Sequence, residues 1–148
     1  MEEKVVDRRV RKTKRQLRLA LMKLMAEKSV KDISVRELAA SADINRGTFY
    51  IHYKDVYDLL SSLEDELADG LTVVCRRHNA KDSEGKTYPY LMELYQFIQQ
   101  NSDLCHVLLG KNGDIALTYR ICPLMRDAFL YDFYAYSQPN HPETPDYF

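Results

Sequence analysis

Arg46, Thr48, Tyr50, His52 and Lys54 fall at alternate positions in a stretch that holds no acid between Ile44 and Lys54. Each can donate a hydrogen bond to a phosphate oxygen, and an arginine can also hold guanine O6 and N7 through two parallel bonds. Gly47, beside Arg46, costs a helix about 1 kcal/mol relative to alanine, and its bare backbone lets a helix approach a groove floor. Ile51 can press on a thymine methyl, and Arg36, further upstream, can reach a base or a phosphate. Together these side chains can read double-stranded DNA, with base edges met at the start of one helix and phosphates along its flanks. The competing account is a solvated helix surface that happens to carry an arginine, a tyrosine and a histidine. Phe49 and Tyr53 are four residues apart and read as core, because the same helix must bury one face.

The elements that must position these residues are two short helices around a three-residue turn, spelled SVRELAASADINRGTFYIHYK over residues 34–54. Ser34 followed by Glu37 predicts a reciprocal capping box at the first of them. Leu38 and Ala39 should point inward, and the small Ala40 and Ala42 allow a close helix crossing. Ala42-Asp43-Ile44 makes the turn, with Ile44 as a buried plug, and Asn45 caps the second helix.

Helical spacing extends on both sides. A first helix over about residues 7–27 carries a stripe of Val10, Leu17, Ala20, Leu21, Leu24 and Met25. Arg8, Arg11, Lys12, Lys14, Arg15 and Arg18 crowd its beginning and its other faces. Asp55 caps a fourth helix over about residues 55–77, with Val56, Leu59, Leu60, Leu63, Leu67 and Leu71 as its ridge. A polar loop over residues 78–86 precedes a helix over about 88–100, with Leu91, Leu94, Tyr95 and Ile98 inward. A short helix over about 102–109 leads into a turn at Lys111-Asn112-Gly113-Asp114, where Gly113 suits a positive φ and Asp114 can cap the next helix. That last helix, over about 115–136, should break or kink at Pro123. Three prolines in residues 139–148 predict a disordered tail. The fold expected is all-α: a three-helix DNA-binding head over 1–54, a small helical regulatory and dimerisation domain over 55–138, then the tail.

Charge supports the same division. Residues 1–31 hold 11 basic and 4 acidic side chains, whereas the chain as a whole has a formal net charge of −1. A basic end on an acidic body suits docking on a polyanion. Cys75, Cys105 and Cys122 form no CxxC pair, so neither a zinc site nor a disulfide framework is expected. No apolar run approaches a membrane span and no signal-peptide core is present, which predicts a cytoplasmic, nucleoid-associated protein. His52 lacks ligand-spaced neighbours, so no metal, no cofactor and no catalytic set is expected. Cys105-His106 is the one pair that hints at thiol chemistry, but adjacent helical residues point about 100° apart.

The stretch Thr48-Phe49-Tyr50-Ile51-His52-Tyr53-Lys54-Asp55 resembles the signature of TetR-type bacterial transcriptional regulators, T-[FL]-Y-x-[HY]-[FY] followed by Lys-Asp. The resemblance covers about residues 9–63 and departs from the family at Asp43, where a turn glycine is usual. Carried over by position, it implies base contacts from Arg36, Arg46, Gly47 and Ile51. It implies phosphate contacts from Ser34, Asn45, Thr48, Tyr50, His52 and Lys54. It further implies a repressor that binds an inverted-repeat operator as a homodimer, with room for a small-molecule effector. The alternative is a truncated regulator acting as a heterodimer partner without DNA binding of its own. Leu108 to Asp114, reading LLGKNGD, resembles a C-terminal domain from a Firmicute branch of the family. Family members usually build the dimer from two terminal helices. One such helix is visible here, which implies a dimer surface that is either incomplete or rebuilt from Ala116, Leu117, Ile121, Leu124, Phe129, Phe133 and Tyr136.

Overall fold

The structure is a computed structural model that describes residues 2–81, 87–113 and 115–136, with side chains at 8–75, 92–113, 115–127 and 130. Seven α-helices are described and no strand occurs among these residues: α1 Glu2–Glu27, α2 Val35–Ser41, α3 Arg46–His52, α4 Val56–Lys81, α5 Thr87–Gln100, α6 Ser102–Leu108 and α7 Ile115–Tyr136. A single 3-10 turn, Val30–Asp32, lies between α1 and α2. The all-α expectation therefore holds. The expected tail, the cap at Asp114 and most of the expected 78–86 loop lie outside the described residues.

The chain packs as two compact units, the first made of Met1–Glu66 with Asp103–Asp114 and the second of Leu67–Ser102 with Ile115–Phe148. The division expected from sequence lies near residue 54 instead. In the first unit, Leu17, Leu21 and Met25 of α1, Leu38 of α2, Phe49 of α3 and Leu59 of α4 are all less than 2% exposed. Leu104 and Leu108 of α6 are as deeply buried. The stripe read from α1 is thus its core face, apart from Val10, which is half-buried.

Caps set the helix boundaries. Ser34 Oγ accepts from Glu37 N–H at 3.2 Å, but the Glu37 carboxylate turns to Lys28 Nζ at 2.7 and 2.8 Å. The expected box is therefore one-sided, because an ammonium attracts the carboxylate more strongly than a neutral amide does. The two-sided arrangement occurs at α4: Asp55 Oδ1 accepts from Asp58 N–H, and Asp58 Oδ2 accepts from Lys54 N–H, both at 2.9 Å. Asp43 takes φ 54°, a left-handed turn conformation that glycine meets without strain and aspartate better than most other residues. Ile44 is half-buried rather than a full plug.

Further along, the outcomes diverge from expectation. Gly113 shows no positive φ; a side chain there would collide with the Leu108 carbonyl, so close backbone approach is what demands glycine. Tyr95 and Ile98 of α5, expected inward, are 57% and 42% exposed. The ring of Phe97 lies instead against Gly70 of α4, where an added Cβ would sit 2.6 Å from it. The helix α7 runs on through Pro123, so the expected break does not occur. The proline leaves the carbonyl of Tyr119 without its intrahelical partner, and both residues are exposed, so water can satisfy it. Leu117 and Ile121 are 1% and 6% exposed, hence part of this chain's own core and unavailable to a second subunit. The side chains of Leu91, Phe129, Tyr131, Phe133, Tyr134 and Tyr136 lie outside those described.

Candidate nucleic-acid interface

Seven residues make α3, and one face of it is anchored. Phe49 is fully buried, and Tyr50 and Tyr53 pack on its ring at centroid distances of 5.5 and 5.9 Å. With Phe49 inward, Arg46 and Tyr50 stand one turn apart on the outer side, as do Gly47 and Ile51. All four are exposed, Tyr50 by 51% and Ile51 by 78%. An isoleucine this bare is costly on a surface with no partner, since apolar area in water is unfavourable by about 25 cal/mol per Å². Thr48 and His52 are half-buried at the edges of this face, and Lys54 lies just beyond it, exposed.

Asn45 opens α3 with its side-chain oxygen accepting from Gly47 N–H at 2.8 Å. That bond uses the amide's acceptor and leaves the NH₂ group as the donor that could meet a phosphate. Ser34 behaves alike at α2: its oxygen caps Glu37, and its hydroxyl proton can still be donated. A Cβ at Gly47 would lie 3.3 Å from Asn45 Oδ1, so alanine there would press on the cap as well as on any approaching groove. Arg36 projects from α2 and is exposed. The structure thus brings Ser34, Arg36 and the Asn45–Lys54 run into one head, where α2 and α3 pack on one another and α1 packs on α2. No acid interrupts the face from Asn45 to Lys54.

The head carries a second cationic surface, which the signature motif does not mark. Tyr53 closes α3 and is half-buried. It also lines a groove of about 610 Å³ with Arg11, Lys14, Arg15 and Arg18 of α1 and Ser62, Leu63 and Glu66 of α4. The signal was available as cations at i, i+3, i+4 and i+7, which share one helix face.

The Cys105-His106 pair gains nothing from its setting. Burial pushes the Cys105 thiol up, against a smaller opposing backbone hydrogen bond, whereas a nucleophilic cysteine needs its pKa lowered. Among the described residues no group of three or more His, Cys, Asp or Glu side chains could hold a metal. No helix among them is long and apolar enough to cross a membrane.

Two short helices joined through a left-handed turn, the second exposing its outer face and the first helix bracing them, define a helix-turn-helix head. Residues 17–63 match the family of bacterial regulatory proteins called tetR. Those residues span most of the head, from the core face of α1 to the first turns of α4, and it is the head alone that is similar to that family. The chain is similar to the uncharacterized HTH-type transcriptional regulator YxbF of Bacillus subtilis (strain 168), at 34% identity over 56 residues. That match takes in 38% of this chain and only 15% of the relative's length. No solved structure matches the chain.

Proposed function

We propose that this chain is a sequence-specific DNA-binding regulator of transcription that represses by occupying an inverted-repeat operator as a dimer. The observation that carries the reading is the outer face of α3, where Arg46, Gly47, Tyr50 and Ile51 are exposed over a buried Phe49. Arg46 and Ile51 read base edges, Gly47 admits the backbone, and Arg36 supports them from α2. Ser34, Asn45, Thr48, Tyr50, His52 and Lys54 hold phosphates. A single head reads too few base pairs for a unique site, and a two-fold dimer doubles them, with half-sites about 10 base pairs apart or slightly more.

The dimer surface has to come from side chains this chain leaves uncovered. Among the described side chains of α7, the large apolar ones left so are Ile115 at 67%, Tyr119 at 71%, Met125 at 37% and Leu130 at 39% exposure. The test uses the full chain against a pool of random duplexes, with the selected DNA sequenced and the molar mass measured by sedimentation. Enrichment of an inverted repeat by a dimer is expected. Failure to enrich any sequence would overturn the reading, and a monomer protecting a non-palindromic site would overturn its dimeric part. Tyr119→Asp should shift sedimentation toward monomer and remove cooperative operator binding while the head still melts as before.

A further inference from the structure

We propose that the groove between α1 and α4 is a second phosphate-binding surface, on which Lys14 and Arg15 hold the DNA strand flanking the base-reading contact. The inference rests on the DNA-binding reading and enlarges it from one helix to a two-tier footprint.

Four cations, Arg11, Lys14, Arg15 and Arg18, line the groove against one carboxylate, Glu66. Arg18 is already committed to that carboxylate through an ion pair. Lys14 and Arg15 are exposed and adjacent, and neither makes an ion pair among those seen in the described residues. Like charges this close repel one another, and a surface that concentrates them is stabilised by an anion that screens them all. Tyr53 makes the groove continuous with the DNA-facing helix, since it ends α3 between His52 and Lys54. A strand held by His52 and Lys54 can therefore run on along α1. Its repeating phosphates match a row of cations better than a single small anion does.

Neutralising a phosphate releases condensed counterions, so each contact adds about 0.9 to the slope of log affinity against log salt. The experiment measures that slope for the full chain and for the Lys14→Gln/Arg15→Gln double variant. It uses a selected operator with twelve flanking base pairs on each side and the same operator trimmed to two. Lys111→Gln, an exposed charge lining a different groove, serves as control. On the long duplex the double variant should lose about 1.8 units of slope per head. Between 50 and 200 mM salt, the unmodified head should then weaken about 12-fold more than the variant. On the trimmed duplex the two should agree, and Lys111→Gln should change neither.

An unchanged slope on the long duplex, an equal loss on both duplexes, or an equal effect per charge from Lys111→Gln would each overturn the proposal. So would loss of ATP or pyrophosphate binding by the variant with its DNA slope intact, which would assign the groove to a small phosphorylated ligand. Should no operator emerge from selection, the same slopes are read on a random 40-base-pair duplex. There a loss of about 1.8 units sustains the groove even though sequence-specific reading has failed.

Discussion

Ile51→Ala separates a side chain kept for DNA from one kept for folding. The substitution removes three carbons, and each buried carbon contributes about 0.8 kcal/mol, or about 2.4 kcal/mol for complete burial. Ile51 is 78% exposed, so the protein itself covers little of it. About 0.5 kcal/mol is then at stake in folding, and alanine's better helix propensity offsets part of that. The remaining 1.9 kcal/mol or so is the most that DNA could add by covering the side chain. A contact that covers half of it contributes about 1 kcal/mol, a five-fold change in affinity. The thermal midpoint should therefore stay within a degree or two while operator affinity falls about five-fold. A thymine-to-uracil exchange deletes the methyl on the other side of the contact. At one position in each half-site that exchange should weaken the unmodified protein and leave Ile51→Ala almost unaffected, with a coupling of at least 0.5 kcal/mol. Fluorescence anisotropy on a set of uracil-substituted operators measures this. If every exchange costs both proteins equally, Ile51 does not read a methyl.

Arg46→Ala should cost about 1–3 kcal/mol on the operator and little on random DNA; equal losses on both, in a competition assay, would remove it from the base readers. Lys54→Ala should lower the salt slope by about one unit without changing the preferred sequence, and Tyr50→Phe should weaken all sequences alike. A changed sequence preference in a repeat selection would contradict both. Asp43→Gly should raise stability by about 0.5–1 kcal/mol, or roughly 2–4 °C in melting temperature, because glycine meets a φ of 54° without a Cβ clash. A lower midpoint by calorimetry would mean that the aspartate side chain contributes more than its backbone strain costs.

Local chemistry in the head was legible, and its longer-range competition was not. Asn45, Asp43 and Phe49 do what their types and spacing required, because caps, turns and helix faces depend on neighbours within four residues. Glu37 departs from its expected role because its alternative partner, Lys28, is nine residues away on another element. Tyr95 and Ile98 fit an inward helical stripe equally well as Phe97, and only the bare Gly70 decides which face of α5 lies inward. Pro123 stays helical because its helix surface is wet, a condition that propensity does not encode. On α7, Leu117 and Ile121 satisfy a dimer stripe and a core stripe alike, and burial within the chain shows them in the second. Nothing in the order of residues showed that 103–114 packs with the head rather than with the helices beside it.

That last arrangement has a consequence for the protein as it is being made. Asn112 Nδ2 donates to the carbonyl of Met25 at 2.9 Å, closing a loop of 87 residues onto the end of α1. The first 66 residues leave the ribosome before the part of the unit that covers them has been joined to the chain. At about 5–20 residues per second, the wait for residue 114 lasts roughly two to ten seconds. Small helical domains fold in microseconds to milliseconds. The nascent head therefore has time to settle into an unfinished state, with the carbonyl of Met25 left to water. Its completion is timed by translation, and a nascent chain stalled with its last emerged residue between 66 and 103 should expose apolar surface that the finished protein hides.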